Sequence, residues 1–123
     1  MTEVPGLVGE TKSRLIVRER CGGRCEMCGR SGPLEFAHRK GRGQGGLWTP
    51  SNGIAACPTC HAFQHAHPEE SRQMGWHVSG SVDDAAVHEV PVRLLTWLGI
   101  GWYKLLPCGG YDVVDLNQVE PRV

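Results

Sequence analysis

The most chemically specific residues in this chain are its cysteines and histidines, six of each. Cys25-x-x-Cys28 and Cys57-x-x-Cys60 are two pairs separated by 28 residues, a spacing that can close one tetrahedral zinc site at the two ends of a hairpin. Four thiolates leave zinc no open position, so such a site staples a fold and performs no hydrolysis itself. The alternative, a redox pair, lacks the βαβ setting of a thioredoxin-like motif. Cys21 and Cys108 have no paired neighbour and read as ordinary small residues.

His61 directly follows the last cysteine, with His65 four residues on and His67 beyond it. Pro58 suits the first turn of a helix, so Pro58–Ala66 is expected to be helical, and His61 and His65 then share one face. Neutral imidazoles placed that way can grip one divalent ion. Two other readings stand beside this one: a mixed site in which a histidine replaces a thiolate, and plain surface histidines. Upstream, the alternation of Leu34-Glu35-Phe36-Ala37-His38 predicts a short strand that delivers His38 at its end. Asn52, before Gly53, is either a turn residue or a side chain whose amide ties one strand's backbone to the other.

The elements that must position these groups follow from the intervening residues. TKSRLIVRER (11–20), stopped by Gly22-Gly23, predicts a short basic helix whose arginines face solvent or phosphate. RKGRGQGG (39–46), with four glycines and three basic residues, predicts a loop along a polyanion backbone, where Arg39, Lys40 and Arg42 would neutralise phosphates. Ile54–Cys57 can pair back as a second strand, and Pro68 begins another short helix that stops at Gly75. Beyond it, Trp76–Val78, Val87–Leu98, Gly101–Leu106 and Tyr111–Leu116 read as strands, the last two joined by a hairpin at Pro107–Gly110. The expected fold class is α+β: a zinc-stapled ββα core with a short N-terminal helix and a β-rich C-terminal tail.

With 123 residues the chain fits one domain, 1–123. Its apolar runs fall short of the ~20 residues of a spanning helix. No apolar segment follows a basic start, so no secretory signal is expected and a cytoplasmic location is. Net charge is zero, but residues 1–50 hold nine basic and five acidic side chains while residues 51–123 hold four and eight. A polyanion would be met by the first half.

Taken together, Cys25-x-x-Cys28, His38, the glycine loop, Asn52, Cys57-x-x-Cys60-His61 and His65 resemble the HNH endonucleases over about residues 14–78, in order and spacing. Residues 79–123 would then be a β-rich extension. The likeness is closest to the small HNH proteins of tailed phages. It implies a ββα-metal nuclease that hydrolyses DNA phosphodiester bonds; because no base-reading element stands out beside the basic loop, nicking or cleavage with little sequence preference is expected. The implied catalytic residues are His38 as general base, Asn52 fixing the hairpin, and His61. His61 and His65 would hold a divalent ion (Mg2+, Mn2+, Ni2+ or Zn2+), and the four cysteines a structural Zn2+. It also implies DNA as partner and an association with the phage packaging terminase. In one respect the chain departs from the family. Many members carry a histidine or aspartate as a third ligand directly before the base, where this sequence has Ala37. Phosphate and water could complete the shell, Glu35 or His67 could substitute, or catalysis is weak. The rival from another class is a non-catalytic zinc module that binds DNA or protein.

Overall fold

The computed structural model describes residues 3–114. Helix α1 (Glu10–Cys21) buries Ser13, Val17 and Arg20 at helical spacing and leaves Arg14 and Arg18 exposed. It ends on Gly22, whose φ of 62° is the left-handed conformation that glycine adopts without a Cβ clash. A tight turn follows, in which Cys25 N–H donates to Arg30 O (2.9 Å) and Gly29 N–H to Cys25 O (2.8 Å). Strand β1 (Glu35–His38) pairs antiparallel with β2 (Gly53–Ala56), placing Ala37 opposite Ile54 and His38 opposite Gly53. Helix α2 (Pro58–Ala66) starts with proline in its first turn and with Cys57 as cap, its sulfur accepting from Cys60 N–H. Helix α3 (Pro68–Gln73) follows directly.

Strands β3 (Val92–Thr96), β4 (Gly99–Leu105) and β5 (Tyr111–Val113) form a separate antiparallel sheet in sequence order. Alternation along β3 and β4 turns Val92, Leu94, Tyr103 and Leu105 to one side, where they pack with Ala37, Ile54 and Ala56 of the first hairpin in a single core. The mixed helix and strand class expected from sequence is the one observed.

Two of the expected strands are corrected. Val87–Leu98 is not one strand. Residues Asp84–Glu89 wind into a 3-10 helix, opened by Asp83 Oδ1 accepting from Ala85 N–H at 2.8 Å, and the strand begins only at Val92, after Pro91. Trp76–Val78 joins no sheet. Gly75, at φ 75°, turns the chain, and Trp76 Nε1 donates to Arg93 O at 2.7 Å. The hairpin at Pro107–Gly110 is present between β4 and β5, while Asp115 and Leu116 of the expected last strand lie outside the described residues.

A buried ionic cluster ties these parts together. Arg20 donates to both Glu26 oxygens (2.8 and 2.7 Å) and to the carbonyls of Pro50 and Gly53 (2.9 and 2.8 Å). Glu26 also accepts from Ala55 N–H at 2.8 Å and from the Tyr111 hydroxyl. Helix α1, the cysteine turn, β2 and β5 thus meet at one pair whose side chains are each 1% exposed. Removing one member strands a desolvated charge, which costs more than the pair itself contributes. Glu26→Ala is therefore expected to lower stability by about 3–5 kcal/mol, read from the urea midpoint of zinc-loaded protein. A loss under about 1 kcal/mol would mean that the cluster does not hold the elements together.

Candidate active site

The four cysteine sulfurs converge from opposite ends of the hairpin. Cys25 and Cys28 sit on the turn before β1, Cys57 and Cys60 at the start of α2, and all four Sγ atoms lie within 4.8 Å of one another. A tetrahedral zinc with Zn–S bonds of about 2.3 Å holds its sulfurs about 3.8 Å apart, and Cys28 Sγ and Cys57 Sγ are 3.8 Å apart. Backbone N–H groups of Met27 and Cys57 point at Cys25 Sγ (3.4 and 3.3 Å), which suits a thiolate. The N–H of Cys60, with neighbouring thiols, lowers Cys57 to about 7. Burial, then its thiol neighbours, raises Cys60. Four sulfurs this close cannot all ionise without a cation among them, and the donor set fits zinc.

One residue beyond Cys60, the second group begins. His61 and His65 turn the same way from α2, and their Nε2 atoms stand 3.3 Å apart. At M–N bonds of about 2.0–2.1 Å, two ligands of a tetrahedral ion are separated by about 3.3 Å, so the pair fits one small divalent ion. The other nitrogen of His61, Nδ1, meets Glu35 Oε1 at 2.9 Å. A carboxylate there fixes the ring's tautomer and turns Nε2 outward as the donor. Glu35 thus supports a histidine, whereas from sequence it was weighed as a ligand. His67 is directed elsewhere: its ring stacks on Phe63 at 4.0 Å, and Nδ1 bonds Phe63 O.

His38 closes β1 beside this pair. Its ring packs edgewise on Phe36 (4.9 Å) and Trp48 (4.3 Å), and its Nε2 is buried with no hydrogen-bond partner among the described residues. Burial, then the charges of Arg42, Arg14 and His61, lowers it to about 4, so the imidazole is neutral at neutral pH. The backbone on both sides of His38 is pinned. Gln64, fully buried between His61 and His65 on α2, donates to His38 O (3.1 Å) and Trp76 O (2.7 Å). Asn52 accepts from Lys40 N–H (2.7 Å) and donates to Lys40 O (3.1 Å) and Leu47 O (3.0 Å), clamping the loop that leaves His38. A Cβ at Gly53, across the ladder, would meet the Phe36 ring at 2.0 Å, so only glycine leaves room for the ring that supports His38.

Two of the three expected phosphate contacts are internal. Arg39 is 0% exposed and donates to the carbonyls of Gly75 (2.9 Å), Ser51 (3.1 Å) and Val90 (2.7 Å). Lys40 donates to Val82 O (2.9 Å) and pairs with Asp84 (3.2 Å). Apart from Ser51, these acceptors come from the segment between Gly75 and Val90, so both side chains fasten the hairpin to the C-terminal half. Arg42 remains exposed and lies 5.6 Å from the Trp48 ring. Ala37 is enclosed in the core and offers no donor. Gln64 and Trp48 were not singled out from sequence, whereas Arg14 belongs to the basic helix whose arginines were expected to face solvent or phosphate. Of the two missed, only Gln64 carried a signal, lying between two histidines on a helix.

Residues 25–67, about a third of the chain, match the family model described as HNH endonuclease. The matched span includes both cysteine pairs, His38, Asn52, His61 and His65. No curated protein and no solved structure matches the chain.

Proposed function

We propose that the HNH endonuclease domain carried by residues 25–67 hydrolyses DNA phosphodiester bonds, with His38 as the base that activates water. The observation that carries this reading is the pair of Nε2 atoms 3.3 Å apart on one helix face, supported by Glu35 and set beside a neutral imidazole whose own Nε2 has no partner among the described residues. His61 and His65 would hold the divalent ion, Mg2+, Mn2+, Ni2+ or Zn2+. When bound it supplies Lewis acidity for the charge developing on the phosphoryl and leaving oxygens. His38 accepts the water proton at its free nitrogen, and its low proton affinity keeps it in the accepting form. Asn52 and Gln64 hold that base at a fixed distance from α2. Glu35 keeps the His61 ring oriented. With Ala37 offering no third ligand, substrate phosphate and water would complete the ion's shell. Cys25, Cys28, Cys57 and Cys60 serve the fold through zinc.

No helix among the described residues is long and apolar enough to cross a membrane. A cytoplasmic setting, where thiols stay reduced and available to zinc, is part of the proposal. So are a single domain over 1–123 with its HNH core at 14–78, and, through the resemblance to small phage proteins, a terminase partner in genome packaging.

Supercoiled plasmid incubated with zinc-loaded protein and each metal in turn is expected to be nicked, without strong sequence preference. His61→Ala is expected to lose metal-dependent nicking while keeping its zinc. In the same assay, terminase cutting that is unchanged by added protein would end the packaging proposal. Intact plasmid under every metal, with DNA still bound, would replace the nuclease reading by a zinc module that only binds.

A further inference from the structure

Arg14 and Arg42, which the catalytic reading does not use, lie near His38, and Arg18 lies beside Arg14 on the same cleft. Arg14 and Arg18 project from α1, Arg42 from the glycine loop, and all three are exposed. The guanidinium carbons of Arg14 and Arg42 lie 4.8 and 5.6 Å from the Trp48 ring centroid. That ring in turn lies 4.3 Å from His38. Arg14 and Arg18 also line, with Leu34, Glu35 and Phe36, a cleft between α1 and β1. Glu35, one of its lining residues, is also the carboxylate that meets His61.

We propose that Arg14 and Arg42, held against Trp48, and Arg18, beside Arg14 on the α1–β1 cleft, form a clamp for consecutive phosphates of a nucleic-acid backbone and lay it across His38. The clamp rests on the nuclease reading of the same site and names what aligns its substrate. An aromatic face holds a guanidinium in place without consuming its N–H donors, so the fork remains available for bidentate contact with a phosphate. The ion pair of Arg14 with Glu10 at 3.0 Å is exposed on both sides (47% and 54%) and exchanges readily for a phosphate. Arg39 and Lys40 cannot take this role, because carbonyls and Asp84 already hold them inside. The clamp reads charge and spacing rather than bases.

The test is the salt dependence of binding to a short fluorescent DNA duplex, measured by anisotropy on zinc-loaded protein without added magnesium or manganese. Arg14→Ala, Arg18→Ala and Arg42→Ala are each expected to weaken binding and to flatten the plot of log K against log salt by about 0.9 per lost phosphate contact. Arg14→Ala combined with Arg42→Ala should lose about 1.8. Lys104→Ala, on the C-terminal sheet, should leave the slope unchanged, and zinc content reports that each variant is folded. Unchanged slopes in all three arginine variants, with zinc retained, would overturn the clamp even if the wild type nicks plasmid. Slopes that fall as expected in a protein that nicks nothing would establish the clamp and remove the nuclease reading. A wild type that binds no duplex at any salt would overturn both.

Discussion

His38→Ala is expected to lower metal-dependent nicking by about 10²–10⁴-fold, the usual contribution of a positioned general base, while zinc content and DNA affinity stay at wild-type values. The expectation follows from what the side chain lacks. Its Nε2 has no partner among the described residues, so removing the ring breaks no hydrogen bond of that nitrogen and takes away only a proton acceptor and some packing on Phe36 and Trp48. The pH dependence carries a sign of its own. Burial and the neighbouring positive charges lower His38 from 6.5 to about 4, so the free enzyme holds the base unprotonated throughout the neutral range. At a metal concentration that keeps His61 and His65 loaded at each pH, the acid limb of kcat/KM should therefore lie near 4. An acid limb near 6.5, or a His38→Ala protein that nicks at the wild-type rate, would assign the base to another group.

Zinc removal is expected to have the larger effect on the fold. Structural zinc contributes apparent binding free energies of about 10–16 kcal/mol in small metal-stapled units, more than most domains hold in reserve. Here the cysteine cluster joins the turn before β1 to the first turn of α2, so it sets how the helix bearing His61 and His65 sits on the hairpin bearing His38. Cys57→Ser, or wild-type protein treated with a strong chelator, should lose its zinc, its near-ultraviolet tryptophan signal and cooperative melting together. Because Cys28 is exposed, a chelator has access to the site. A zinc-free protein that melts at the wild-type temperature would show that the C-terminal sheet and the Arg20–Glu26 cluster suffice alone. In that case the cysteines would call for a different account.

The two effects separate experimentally. Loss of His38 should leave a folded, zinc-loaded, DNA-binding protein that does not cut. Loss of a cysteine should remove folding, binding and cutting at once.

Sequence alone determined the features that depend on local spacing. The cysteine pairs, the short strand ending at His38, the proline-started helix and its i, i+4 histidines are each set within a few residues, where chain geometry leaves little choice. Tertiary structure decided what each remaining side chain meets. Arg39 and Lys40 sit in a loop whose glycine-rich composition reads as a phosphate site, and they became internal braces because the segment from Gly75 to Val90 folds over them with bare carbonyls. Arg14 and Arg42, 28 positions apart, share one tryptophan only because α1 packs beside the hairpin. Glu35 supports His61 across 26 positions for a similar reason: antiparallel pairing of β1 with β2 carries α2 back alongside β1. A solvated arginine and a buried one have the same sequence signature, and only the carbonyls or phosphates brought to it from elsewhere in the chain distinguish them.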